Sequence, residues 1–175
     1  MIISLEKAKE LIEFKGWTDA RIEMKLKAVE QAIRKYTNNN FQNIECRRVA
    51  DIHGNLFVVE ALTPFNVGDT VQVSESATNS GLYTVDSVGD STFTVSEDVV
   101  FDEGDVLVTK VEYPEDVVDC AINMLEWAVK NGSKVGIKSE TLSRHSVTYE
   151  DSATLFMGYP VGILSGLKMY RKVRC

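Results

Sequence analysis

The chain has 175 residues, room for one medium domain or two small ones, with 44% hydrophobic and 26% charged side chains and a net charge of −7. No apolar run approaches the roughly 20 residues that cross a bilayer, and the opening Met1-Ile2-Ile3-Ser4-Leu5-Glu6-Lys7 turns charged too early for a secretory apolar core, so synthesis in the cytoplasm with no membrane is expected. Three cysteines without a Cys-x-x-Cys pair and only two histidines leave too few ligands for a zinc site or a disulfide framework, and no metal or other cofactor is expected.

Ser4 can cap a first helix whose apolar residues Leu5, Ala8, Leu11 and Ile12 recur on one face, with Gly16 as its stop. Thr18-Asp19 signals a second start, with Trp17 just before the cap where a hydrophobic staple would sit. In that second helix Ile22, Leu26, Val29, Ile33 and Tyr36 fall on one stripe, while Arg21, Lys25, Lys27, Glu30 and Arg34 take the opposite face. A stripe of barely two heptads is too short for a coiled-coil seam, so it reads as the buried side of the helix in its own domain. Thr37-Asn38-Asn39-Asn40 favours a turn and ends it.

Beyond this point the charge balance changes. Residues 44–112 carry 13 acidic and 3 basic groups, against 6 and 8 in residues 1–43 and 7 and 8 in residues 113–175. A stretch that acidic repels phosphate, which argues against it gripping nucleic acid. From Leu56 the apolar period becomes two. Strands are predicted over 56–62, 70–74, 83–85, 93–95 and 106–111, punctuated by His53-Gly54-Asn55, Gly68-Asp69, Asn79-Ser80-Gly81, Gly89-Asp90 and Gly104-Asp105. Five or six short strands at this spacing predict a small antiparallel barrel or sandwich.

Helical pattern returns at Tyr113-Pro114-Glu115-Asp116, where proline suits the first turn and the acids suit the positive helix end. Val118, Ala121, Ile122, Leu125, Ala128 and Val129 form a wide apolar face, and Asn131-Gly132 is its stop. Most of the stretch from Ser133 to Gly158 reads as polar and irregular, apart from a short β-like Ser146-Val147-Thr148-Tyr149. An irregular stretch of that length points to function or to a partner. Pro160 is expected to open a last helix bearing Ile163, Leu164, Leu167 and Tyr170.

No grouping supports catalysis. Ser143-Arg144-His145-Ser146 brings a serine and a histidine together in sequence, whereas a triad is assembled in space, and no phosphate-cradling glycine loop occurs. Cys120 reads as a small buried hydrophobe. The acids Glu97, Asp98, Asp102, Glu103 and Asp105 lack EF-hand spacing and read as solvated loop charges. The closing residues are different in kind. Lys168, Arg171, Lys172 and Arg174 form a compact positive group interleaved with Met169, Tyr170 and Val173, residue types found at interface cores. Two readings stay open for them: cations placed favourably at a helix C-terminus, or a docking tail for an acidic partner.

The opening through Ile33-Arg34-Lys35-Tyr36-Thr37-Asn38, the helix start at Tyr113-Pro114-Glu115-Asp116, the stretch Ile137-Lys138-Ser139-Glu140-Thr141-Leu142 leading to Ser146-Val147-Thr148-Tyr149, and the ending Tyr159-Pro160 … Leu167 … Tyr170-Arg171-Lys172 together resemble the head–tail connector (adaptor) proteins of tailed bacteriophages and prophages. The resemblance covers about 100 residues in the two helical parts, and the acidic β module departs from the shortest members of that family.

The resemblance implies an α+β chain in which residues 1–43 and 113–175 form a small bundle of about four helices, the connector domain, and 44–112 an inserted acidic β domain. It implies a non-enzymatic virion protein at the head–tail junction. Such a protein forms a homo-oligomeric ring, dodecameric in the family, under the portal protein. The ring extends the channel through which double-stranded DNA passes without tight binding, and it carries the next neck or tail-completion protein. By position, Lys168, Met169, Tyr170, Arg171, Lys172, Val173 and Arg174 would dock on the portal. Lys138, Ser139, Glu140, Arg144, His145 and Tyr149 would make subunit–subunit or channel-facing contacts. The alternative is a β-barrel module that binds a ligand or nucleic acid, a use that normally needs exposed aromatics among basic groups.

Overall fold

The structure, a computed structural model, describes residues 1–97, 101–131, 139–142, 145–148 and 155–173, with 139–142 and 145–148 described by their backbone alone. It is an α+β chain in two compact units: Met1 with Asn40–Glu112, and Ile2–Asn39 with Tyr113–Cys175.

In the first unit six strands close into an antiparallel barrel: β1 (Gln42–His53), β2 (Leu56–Val59), β3 (Thr70–Ser74), β4 (Gly81–Val88), β5 (Thr92–Val95) and β6 (Glu103–Val111). Their order around the barrel is β1-β2-β5-β4-β3-β6, with β6 pairing back onto β1, so no edge is left open. Alternate residues point inward, as the period of two requires. Ile52, Phe57, Val71, Val73, Val85, Phe93 and Val106 belong to the core. Phe57 and Phe93 are cross-strand partners and stack with ring centroids 4.7 Å apart, and Phe65 meets Phe93 edge-on at 5.0 Å.

The predicted strand over 56–62 ends earlier, at Val59, and β4 extends beyond Tyr83-Thr84-Val85 at both ends. The longest strand, β1, is the one whose alternation is hidden. Its register against β6 shifts between Asn43 and Arg47 and again between Ala50 and Ile52, so Asn43-Ile44-Glu45-Cys46-Arg47-Arg48 shows no period of two.

Several of the barrel's charged groups are bound within it. The Glu103 carboxylate accepts from Ser76 Oγ (2.6 Å), the Ala77 amide (2.6 Å), Asn79 Nδ2 (2.9 Å) and Thr78 Oγ1 (3.2 Å), pinning the β3–β4 loop. Glu97 accepts from the Thr84 amide and hydroxyl. Asp102 accepts from the Gly54 amide. Reading these as solvated loop charges is corrected for Glu97 and Glu103, because strand pairing brings loop donors to them from far along the chain; Asp102 stays exposed, and Asp98 lies outside the described residues. The three cations are engaged as well. Lys110 bridges Asp69 (3.0 Å) and Glu112 (3.2 Å), Arg47 Nε donates to Thr109 Oγ1, and Arg48 donates to the carbonyl of Arg47.

In the second unit α1 (Leu5–Leu11) is capped by Ser4 and α2 (Asp19–Thr37) by Thr18, each accepting from the amide three residues on. α1 ends at Leu11, well before Gly16, which turns within the following loop at φ +73°. Ile22, Leu26, Val29 and Ile33 are buried in α2, which packs on α1, on α3 (Glu115–Asn131) and on a 3-10 helix (Ser165–Tyr170). α3 contributes Val117, Ala121, Met124, Leu125 and Ala128 to this interior. Cys120 is buried, its thiol donates to the Ile163 carbonyl, and burial pushes its pKa up to about 11. Glu30, the one buried acid among the described residues, accepts from the Tyr113 hydroxyl at 2.7 Å; burial, and then the carboxylate itself, push the Tyr113 phenol well up.

Two expectations are corrected in this unit. The β-like reading of 146–149 falls on β8 (His145–Thr148), but the stretch holds more strand than expected: β7 (Ser139–Leu142) pairs with β8, and β9 (Leu155–Phe156) pairs with β10 (Tyr159–Pro160). A last α-helix from Pro160 does not form. The chain turns after β10 through amides bonded three residues back (Ile163 to Pro160, Leu164 to Val161) and continues as the 3-10 helix. Gly162 and Gly166 lower the propensity that an α-helix of that length requires.

Candidate docking groove

The last turn of α2 leaves carbonyl oxygens without intrahelical donors, as every helix does. Asn38 takes the left-handed conformation there (φ +49°), and its amide bonds the Arg34 carbonyl. The C-terminal segment satisfies one more and receives two side-chain bonds from the helix end. The Lys172 amide donates to the Thr37 carbonyl (2.8 Å), Asn38 Nδ2 donates to the Lys172 carbonyl (3.2 Å), and Asn39 Nδ2 donates to the Tyr170 carbonyl (3.3 Å). Residues 170–172 are therefore tied by their backbone to the end of α2. Upstream, Leu164 and Leu167 are buried, and the Tyr170 hydroxyl lies 2.8 Å from both carboxylate oxygens of Asp116, which push its pKa up.

This strapping builds an open groove of about 420 Å³ lined by Lys35, Tyr36, Asn38, Arg171, Lys172 and Val173. The Arg171 guanidinium sits over the Tyr36 ring, 5.4 Å from its centroid, and Phe156 meets the same ring edge-on at 5.3 Å. None of the lining residues among those described is acidic. Met169 and Val173 are 76% and 88% exposed, far beyond what packed apolar side chains show. A second groove of similar volume, between the end of α1 and α3, mixes Glu13 and Glu126 with Lys15 and Lys130 and so has no charge preference.

The structure thus brings Arg171, Lys172 and Val173 together with Lys35, Tyr36 and Asn38, which the sequence reading left out of the site. The signals that could have found them are the polar run Thr37-Asn38-Asn39-Asn40, rich in caps for a passing backbone, and Tyr36 as the last residue of the buried stripe. Lys168 and Met169 are exposed on the 3-10 helix and do not line the groove. Tyr170 faces Asp116 instead, and Arg174 lies outside the described residues. Of the other candidates, Ser139, Glu140 and His145 fall on the β7–β8 pair, opposite Thr148, Val147 and Leu142; Lys138, Arg144 and Tyr149 lie outside the described residues.

Among the described residues no group of three or more His, Cys, Asp or Glu side chains could hold a metal, and no helix is long and apolar enough to cross a membrane. Comparison with models of protein families and with curated proteins finds no match.

Proposed function

We propose that this chain is a structural head–tail connector of a tailed bacteriophage or prophage, a small helical bundle carrying the barrel as an insertion. In this reading it forms a ring on the portal protein, extends the DNA channel and offers a platform to the next neck or tail component. The observation that carries the proposal is the C-terminal segment: its backbone is fixed to α2 while Lys168, Met169, Lys172 and Val173 are turned outward. A surface of exposed cations and apolar side chains held on a rigid support suits docking on a partner. A ring subunit also needs two complementary surfaces that close by rotation, and the segment bearing Ser139, Glu140 and His145 is the candidate for one of them.

The barrel-module alternative is less favoured. Arg47, Arg48 and Lys110 are already bonded within the barrel, which leaves an acidic surface facing any phosphate.

The test is to mix the purified chain with its portal complex and image the particles. An added collar is expected, and truncation after Leu167 should abolish it. A collar that survives that truncation moves the docking surface elsewhere, and no collar at all sinks the connector reading.

A further inference from the structure

We propose that the groove at the end of α2 is a receptor: it takes an extended, carboxylate-bearing peptide segment of a partner protein. The connector reading is used only to say that the portal would supply that segment; the ligand chemistry follows from the groove.

Three cations from two separate parts of the chain, Lys35 on α2 and Arg171 and Lys172 on the C-terminal segment, line one depression with no acid among the described lining residues. Cations gathered without counter-charge repel one another, so an anion entering between them is favoured by all three. The positions are set in advance. The hydrogen bonds from Lys172 and to Lys172 and Tyr170 fix the segment on the helix end, so little ordering cost is left for binding. The Arg171 guanidinium lies over the Tyr36 ring, which Phe156 braces edge-on, and a guanidinium placed over a ring keeps N–H donors for a planar acceptor such as a carboxylate.

The groove also favours peptide over nucleic acid. Its volume of about 420 Å³ holds a short run of side chains, and Tyr36 and Val173 offer apolar contact between the charges. A duplex would need a long basic track, whereas this chain carries a net charge of −7.

The experiment measures binding of the full chain to a fluorescein-labelled hexaglutamate peptide, with hexaglutamine and a short DNA duplex as comparisons. Hexaglutamate should bind in a salt-sensitive way and the other two should not. Lys35→Glu should weaken it at least about tenfold, because a reversed charge replaces an attraction with a repulsion. Lys35→Arg should retain it. Lys35 is exposed and outside the C-terminal segment, so loss of binding on its reversal identifies the groove and not a loose tail. If the thermal melt of Lys35→Glu shifts, the neutral Lys35→Gln is read in its place and should show an intermediate loss. Unchanged affinity in these variants, or a preference for the duplex, overturns the proposal. Absent peptide binding alongside an intact portal collar overturns the groove assignment alone; peptide binding without any collar overturns the connector reading alone.

Discussion

In the barrel, the carboxylates of Glu97, Glu103 and Asp69 accept hydrogen bonds from amides and hydroxyls of the same unit, and Lys110 is held between two acids. In the helical unit, Lys35, Arg171 and Lys172 stand together along an open groove, while the backbone that carries two of them is hydrogen-bonded to the end of α2. The barrel uses polar groups to hold its own loops; the helical unit uses them to fix a scaffold and turns its cations outward. Net charge alone would have pointed the other way, since the acidic barrel carries most of the excess. What matters for recognition is which charges lack a partner within their own unit.

The largest expected effect separates the two interiors. Phe93 stacks on Phe57 and meets Phe65, so Phe93→Ala should destabilise the barrel by about 3–5 kcal/mol, as cavity-forming aromatic truncations do. Trp17 and Trp127 both belong to the helical unit, so tryptophan emission follows that unit, while the strand signal in far-UV circular dichroism comes chiefly from the six longer strands of the barrel. A melt in which Phe93→Ala leaves the strand signal unchanged would contradict a core centred on these rings.

A smaller effect is expected from Tyr113→Phe. It removes a donor from Glu30, an acid only 3% exposed, and should lower the stability of the helical unit by about 1–3 kcal/mol, read in tryptophan emission against denaturant. An unchanged midpoint would mean that Glu30 is satisfied without the phenol.

The smallest effect is on pH. Hydrogen bonds from Ser76 and Ala77 hold the Glu103 carboxyl below its ordinary value. A depressed folded-state pKa stabilises the fold above the unfolded value of about 4.3, and that contribution is lost as pH falls through the folded pKa. Amide exchange at Ala77 and Asn79 should therefore quicken at acid pH, and in Glu103→Gln it should already be quick at neutral pH. Identical profiles for the two proteins would remove the carboxylate from the role of loop anchor.

Much of the fold was legible because apolar periodicity reports burial directly. The stripe of Ile22, Leu26, Val29 and Ile33 and the alternation of Thr70-Val71-Gln72-Val73 survive intact in the structure. β1 was not, since a bulge erases the period of two where the strand bends, and the 3-10 helix was not, since Leu164 and Leu167 are spaced as well for three residues per turn as for 3.6. The groove was half legible. Arg171, Lys172 and Val173 stand out by composition, but Lys35, Tyr36 and Asn38 join them only because a backbone more than a hundred residues away caps the end of α2, with 134 residues separating Asn38 and Lys172. No local pattern encodes that meeting.

The most direct measurement sets the two regions against each other on the portal. Particles are imaged with the unaltered chain, with Arg171→Glu combined with Lys172→Glu, and with Glu60→Lys combined with Asp86→Lys on the exposed barrel surface. The collar should vanish only with the groove reversal. A collar lost on altering the barrel and kept on altering the groove would assign docking to the wrong unit.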